Sequence, residues 1–427
     1  MQKEYAVQMS SSNLRFGPGV TKEVGMDVAD MGLKRVLVFT DANLVNLHPV
    51  QTVIESLKSE GVEFDVFDRV RVEPNDISMK EAIAVAQDGN YDGYVAVGGG
   101  STIDTAKVAN LYATYPDDFY AYINAPIGQG KPVPGPVKPF IAIPTTAGTG
   151  SETTGVAIMD LTEYKAKSGI AHRYLKPTLG LVDPENTRTM PPVIAAASGL
   201  DILCHALESY TALPFYERPR PSRPIYRPAY QGNNPISDMW ALKAIELTSK
   251  YIVRAFKDPD DEEARGQMIL ASSMAGMGFG NAGVHLCHGM SYPVSGMVKT
   301  YRPVGLNLDH PIVPHGMSVI LNAPAVFRFT GSACPDRHLQ GAAMMGADIS
   351  KVKDPINEAG PLLADQIVSM MKDLEIPNGL SAIGYTEAHI PALVAGTLPQ
   401  HRVTKLSPRQ ADAEDLTKMF QDAMVAW

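Results

Sequence analysis

Cysteine is nearly absent from this chain. The three present among 427 residues, Cys204, Cys287 and Cys334, are an odd number with no close pair, which argues against a disulfide framework. An excess of positive charge is also missing. Lys and Arg number 37 against 46 Asp and Glu, and the net charge of -9 leaves no basic face for a nucleic acid or an anionic membrane. Any anion site must therefore be local. No stretch approaches the roughly 18 apolar residues that a membrane span needs. The first nine residues have neither an apolar signal core nor the Arg-rich, acid-poor look of a transit peptide, so a cytoplasmic protein is expected. Low-complexity tracts and internal repeats are absent too.

What is present is an ordinary globular composition, 45% hydrophobic and 19% charged, on a chain too long for one core. The first part alternates strand and helix. Short apolar runs at 35–40, 62–67, 93–97 and 139–144 read as strands, and 43–60 and 77–88 read as helices between them. Strands joined by helices of that length form right-handed βαβ units, hence a parallel, Rossmann-like sheet. After about residue 190 the pattern becomes helical, with helices expected at 193–212, 237–256, 260–280, 284–298, 316–329, 336–346, 356–374, 387–396 and 410–425. Six prolines between 214 and 235 make that interval a loop. The expected division is an α/β domain over 1–190 and an all-α domain over 191–427.

In the helical part, Asp201 and His205 stand four residues apart, on one face of a helix and one turn apart. Their neighbours are apolar, and a charge among them is costly unless it has a partner. His288 and His315 complete a set of one carboxylate and three imidazoles, which suits Fe(II) or Zn(II) better than the all-oxygen shells of Mg(II) or Ca(II). His285 and His310 are rival ligands, while His48, His172, His338, His389 and His401 belong to no constellation. Cys204 and Cys287 each precede a proposed ligand, but adjacent helical residues point about 100° apart, so both read as small core residues.

Two loops in the first part are rich in glycine and hydroxyls: GGGSTIDTAK at 98–107 and PTTAGTGSE at 144–152. Each follows a strand. Glycines let backbone amides approach an anion, and a helix N-terminus adds partial positive charge. The usual G-x-G-x-x-G spacing fails, because Ile103 stands where the third glycine belongs. Together the loops suggest a dinucleotide. Asp41, at the end of the first strand, has two readings: an acceptor for a ribose diol, favouring NAD over NADP, or a cap for the helix that follows.

These motifs, in this order along nearly the whole chain, resemble the iron-containing (group III) alcohol dehydrogenases. Within that family the likeness is greatest to a branch that moves hydride between hydroxy acids and oxo acids, carried by 16–25, 233–238, 278–293 and 396–400. The resemblance implies an NAD-linked, metal-dependent oxidoreductase, a small-molecule enzyme that forms a homo-oligomer, a dimer. It implies Asp201, His205, His288 and His315 as ligands of Fe(II), with Zn(II) the alternative. It further implies Asp41, Asn75, Gly99, Gly100, Ser101, Thr145, Thr149, Thr154 and Lys167 as nucleotide contacts. Where many of these dehydrogenases have a second histidine four residues after the third ligand, this chain has Tyr292, which is expected to serve as proton donor. The stretch 299–310 is an insertion relative to the simpler dehydrogenases, shared with the hydroxy-acid branch.

The substrates implied are 4-hydroxybutyrate as hydride donor and an oxo acid such as 2-oxoglutarate as acceptor. Both are anions and need a carboxylate clamp. Arg220, Arg223 and Arg227 in the proline-rich loop are the expected clamp, with Lys299 and Arg302 as further candidates, and a solvated basic rim is the alternative reading of each.

Overall fold

The structure is a computed structural model that describes residues 2–164, 166–306 and 310–427. Residues 307–309 of the expected insertion therefore lie outside the described residues. The chain forms two compact units, Ser10–Met190 and a second made of Met1–Met9 with Pro191–Trp427.

The first unit is built on strands β1 (Asn13–Phe16), β2 (Arg35–Phe39), β3 (Glu63–Phe67), β4 (Gly93–Gly98) and β5 (Phe140–Pro144), a hairpin of β6 (Val156–Leu161) and β7 (Ala166–Ala171), and β8 (Leu179–Val182). Helices α1 (Val24–Asp30), α2 (His48–Ser59), α3 (Asp76–Asp88) and α4 (Gly100–Thr114) connect them. Six strands pair in parallel in the order β1-β8-β5-β4-β2-β3. Side chains alternate across this sheet and both faces are covered. Val36, Val38, Val95, Val97, Ile141 and Ile143 pack with Val50, Val53 and Leu57 of α2 on one side. Leu37, Phe39, Tyr94, Ala96 and Ala142 pack with Ala82 of α3 and Ile103 and Ala106 of α4 on the other. Two-sided burial is why the strands read as unbroken apolar runs.

After β3 the chain crosses back over β2 to form β4, so the order reverses between β2 and β4. In open α/β sheets ligands bind outside the strand ends at such a reversal. Asp41 follows β2 there, and Gly99 and Gly100 follow β4. Strands β1 and β8, the β6–β7 hairpin and α1 were not expected from the sequence. The helix expected from residue 43 begins only at His48, with Pro49 in its first turn.

The second unit holds α5 (Pro192–Thr211), α6 (Pro235–Lys257), α7 (Glu262–Ala282), α8 (Leu286–Gly296), α9 (His315–Ile320), α10 (Ala323–Thr330), α11 (Pro335–Met344), α12 (Pro355–Asp373), α13 (Ile390–Thr397), α14 (His401–Thr404) and α15 (Ala413–Ala423). Helix α5 is buried nearly all round from Gly199 onward. The helix expected over 316–329 is divided into α9 and α10 at Leu321 and Asn322. The expected boundary at residue 190 also misplaces the first nine residues. Glu4 N donates to Arg218 O (2.8 Å), Arg220 N to Gln2 O (2.9 Å) and Gln8 N to Gln231 Oε1 (2.8 Å), which ties them to the proline-rich loop of the helical unit.

Candidate metal centre and nucleotide loops

Three segments of the helical unit deliver the donor set. Helix α5 carries Asp201 and His205, α8 carries His288, and His315 opens α9 after Pro314. Gly316 sets how closely α9 approaches α5. A Cβ there would lie 2.0 Å from Ala197 O and 2.7 Å from Asp201 Cβ, so only glycine lets His315 come up against Asp201. Donor atoms of Asp201, His288 and His315 all lie within 4.8 Å of one another. His288 Nε2 is 3.5 Å and His315 Nε2 3.8 Å from Asp201 Oδ1. His205 stands beside these three. Its Nδ1 is 3.7 Å from Asp201 Oδ2, and its ring is stacked between Phe279 (centroids 3.9 Å apart) and His288 (4.6 Å).

These atoms fit a cation. Asp201 Oδ1, His205 Nδ1 and His288 Nε2 are buried and make no hydrogen bond. Each such atom costs about 1–3 kcal/mol if nothing binds it, so three together are hard to explain as core packing. Burial is the largest influence on His205 and lowers it to about 3, which keeps the imidazole neutral as a ligand must be. Burial pulls the Asp201 carboxyl upward, but the surrounding imidazoles outweigh it and hold the group below its ordinary range.

Glu208, which sequence reasoning passed over, orients this set. It lies on α5 one turn past His205 and is fully buried. Its Oε1 accepts from His285 N (2.9 Å), Cys287 N (2.8 Å) and His288 N (3.3 Å), the unpaired amides at the start of α8. Its Oε2 meets His288 Nδ1, which fixes the tautomer and turns Nε2 toward Asp201. Burial raises Glu208, yet the facing His288 and His285 hold it at about 2. The spacing of Asp201, His205 and Glu208, four and then three residues, was the available signal.

His285 is not turned into the cluster. Its Nε2 pairs with Thr211 Oγ1 at 3.0 Å, and its ring packs on Phe327. Tyr292 lies one turn past His288, and its Oη accepts from Arg402 Nη2 at 2.8 Å. Of the proline-rich arginines, Arg220 and Arg227 meet at the Tyr5 ring (4.4 and 6.0 Å). Arg227 is taken by Glu4 (2.9 and 3.0 Å), Arg220 lies over the Tyr5 ring (4.4 Å), and Arg223 is exposed. Arg227, neutralised by a carboxylate of its own chain, is no free receptor for another, so the expected clamp is corrected at that position.

In the α/β unit the two glycine loops are neighbours, because Gly98 pairs with Pro144 across β4 and β5 and Thr145 N donates to Gly98 O at 3.1 Å. Gly99 and Gly100 open α4. A Cβ on Gly99 would lie 3.1 Å from Thr146 Oγ1, and one on Gly100 2.6 Å from Thr149 Cγ2, so the second loop occupies the space that side chains on the first would need. Lys107 and Asp104 of the first motif staple the second. Lys107 Nζ, fully buried, donates to Ser151 Oγ (2.6 Å), Thr154 Oγ1 (3.3 Å), Val156 O (2.8 Å) and Asp104 Oδ1 (3.3 Å).

Asn75, Ser101 and Lys167 meet in one network through Glu73 and Asp160. Glu73 N donates to Ser101 Oγ (3.2 Å), Lys167 pairs with Glu73 and lies 3.9 Å from Asp160, and the backbones of Asn75 and Asp160 form a parallel β-bridge. Asn75 also caps α3, its side chain accepting from Ser78 N. Asp41 does not cap α2, which starts seven residues later. Its Oδ1 accepts from Asn43 N at 2.8 Å, closing a turn at the end of β2.

Residues 11–184 match the iron-containing alcohol dehydrogenase family, and residues 229–424 match the C-terminal part of the Fe-containing alcohol dehydrogenase family. A Bos taurus protein named hydroxyacid-oxoacid transhydrogenase, mitochondrial, is 59% identical over 423 residues, covering 99% of this chain and 90% of the bovine one. Among solved structures, 1,3-propanediol oxidoreductase is similar with a TM-score of 0.85 and 27% identity, covering 98% of this chain and 100% of that one. Sulfoacetaldehyde reductase from Bifidobacterium kashiwanohense, solved in complex with NAD+, gives 0.79 and 27%, covering 99% of both. The expectation of a cytoplasmic protein is corrected by the bovine relative, whose name places it in mitochondria. No helix among the described residues is long and apolar enough to cross a membrane. The chain is an oxidoreductase and belongs to the iron-containing alcohol dehydrogenase family.

Proposed function

We propose that this chain is an NAD-linked, iron-dependent transhydrogenase that moves hydride from a hydroxy acid such as 4-hydroxybutyrate to an oxo acid such as 2-oxoglutarate. The observation that carries the reading is the convergence of unsatisfied, buried donor atoms from Asp201, His205 and His288 beside His315, in a chain 59% identical to the bovine transhydrogenase. Asp201, His205, His288 and His315 would hold the metal. One carboxylate with three imidazoles suits Fe(II), and Zn(II) would also be accepted. Bound there, the metal supplies Lewis acidity toward a hydroxyl or carbonyl oxygen, and NAD supplies a hydride acceptor and donor.

The remaining roles belong to the chain's own groups. Glu208 keeps a proton on His288 Nδ1 and leaves Nε2 as the lone-pair donor. Arg402 donates to Tyr292 Oη, so the phenol accepts on that side and holds its own proton for a substrate oxygen. The amides at Gly99, Gly100 and Ser101, with Thr145 and Thr149 alongside, offer a pyrophosphate cradle at the start of α4. Thr154, Asn75 and Lys167 border it, and Asp41 accepts from a ribose diol while repelling a 2′-phosphate.

The test is the metal and nucleotide content of the purified protein, followed by turnover of 4-hydroxybutyrate with 2-oxoglutarate and no added NAD. Retained nucleotide and turnover without added NAD support the reading. Hydroxy-acid oxidation that proceeds only with added, stoichiometric NAD would identify a dehydrogenase with exchangeable cofactor instead.

A further inference from the structure

Arg402, on α14, is a half-buried cation that pairs with aromatic side chains. Its Nη2 donates to Tyr292 Oη (2.8 Å), and its guanidinium carbon lies 5.0 Å over the Tyr230 ring. Its Nη1 is buried and meets no acceptor. The groups acting on it are the two tyrosines, and no carboxylate among the described residues pairs with it. Buried Lys107 and Lys167 are compensated by Asp104 and Glu73, and the half-buried Arg337 by Asp238, whereas buried Arg265, on α7, has Nε and Nη1 atoms that make no hydrogen bond. A guanidinium nitrogen left unpaired away from water is costly, and the planar fork is built for a carboxylate.

Its position ties it to the donor set by two routes. Tyr292 is one turn of α8, about 5.4 Å of rise, from His288. The Tyr230 ring packs on Phe279 (6.4 Å), whose ring is stacked on His205 (3.9 Å). One intervening side chain on the first route, and two on the second, separate the cation from the ligands.

We propose that Arg402 binds the substrate carboxylate distal to the reacting carbon and thereby makes the site prefer acids to simple alcohols. The choice of substrates rests on the transhydrogenase reading. Chemistry then gives a reason for a single fixed cation. In 4-hydroxybutyrate the carboxylate is two methylenes from the hydroxyl-bearing carbon, and in 2-oxoglutarate the distal carboxylate is two methylenes from the keto carbon. One guanidinium at one distance from the metal ligands serves both half-reactions. It also selects chain length, so oxaloacetate, with a single methylene, is the poorer acceptor.

The experiment compares wild type with Arg402→Gln and Arg402→Lys. The first readout is the ratio of kcat/KM for 4-hydroxybutyrate over 1,4-butanediol, which keeps the carbon skeleton and removes the charge. The ratio should fall on the order of 30-fold in Arg402→Gln, mainly through KM, and less in Arg402→Lys. The second is calorimetric titration of the holoenzyme with glutarate, an unreactive dicarboxylate, whose affinity should fall in the same order. An unchanged ratio, or unchanged glutarate affinity in a folded Arg402→Gln protein, overturns the proposal. If Arg402→Gln does not fold, Arg402→Lys carries the same comparison. Wild-type protein that fails on the hydroxy-acid and oxo-acid pair, yet binds glutarate in an Arg402-dependent way, would sink the transhydrogenase reading and uphold the anion site.

Discussion

The candidate nucleotide site in Ser10–Met190 and the candidate metal site in the helical unit offer opposite kinds of groups. Around β4 and β5 the groups on offer are backbone amides and small hydroxyls, and glycines at 99 and 100 keep side chains out of the way of the facing threonines. The buried charges there are spent internally, with Lys107 and Asp104 fastening one loop to the other. Around α5 the groups on offer are side chains, and their charges are left open: Asp201 Oδ1 and His288 Nε2 are buried without partners. A diffuse anion is met by many weak dipoles from a short stretch of chain, whereas a compact cation is met by a few strong donors gathered from distant segments. Damage to the first site should therefore be graded, and damage to the second abrupt.

The sharpest break in that comparison is expected at Glu208, which supports the donor set without joining it. Glu208→Gln still accepts from the α8 amides but no longer offers a second carboxylate oxygen to His288. Metal affinity should fall about 10- to 100-fold, measured by competition with a chelator, while NAD affinity holds. An unchanged metal affinity would reduce Glu208 to a helix cap. A smaller effect is expected for Gly100→Ala, where the new methyl meets Thr149 Cγ2 at 2.6 Å and the second loop must shift. Fluorescence titration should show NAD binding weakened roughly tenfold, with overpacking costing about 1–3 kcal/mol in the melt of the α/β unit and metal content unaltered. Wild-type NAD affinity in that variant would remove the loops from the cofactor site. The mildest change is Asp41→Ala, which should lower the preference for NAD over NADP by a few-fold. If the ratio of the two affinities does not move, Asp41 only closes the turn at Asn43.

How much of this could be read beforehand follows from the same contrast. The parallel sheet was legible because two-sided burial writes continuous apolar runs, and the glycine loops because a close backbone approach tolerates few other residues. The candidate donors Asp201 and His205 stood out because a charge in an apolar helix is costly without a partner. Glu208 did not, although it shares their helix face, because its partners at 285–288 come from another helix. Arg402 escaped notice for a related reason: α14 is four residues long, and the arginine gains meaning only from Tyr292 and Tyr230, far away in sequence. The proline-rich arginines misled in the other direction. A preorganised cluster read as a clamp, but Glu4, 223 residues upstream, claims Arg227. The hairpin β6–β7 lies in a stretch for which no element was expected, and the helix expected from residue 43 starts late because Pro49 fixes its first turn.

Metal capture is expected to belong to side chains of the helical unit alone. The measurement is metal content and NAD affinity on one preparation of His315→Ala. The expected result is loss of metal occupancy and turnover while NAD binds as in wild type, since every candidate nucleotide contact lies in Ser10–Met190. Metal retained at wild-type stoichiometry with turnover intact would contradict it, and so would loss of NAD binding along with the metal.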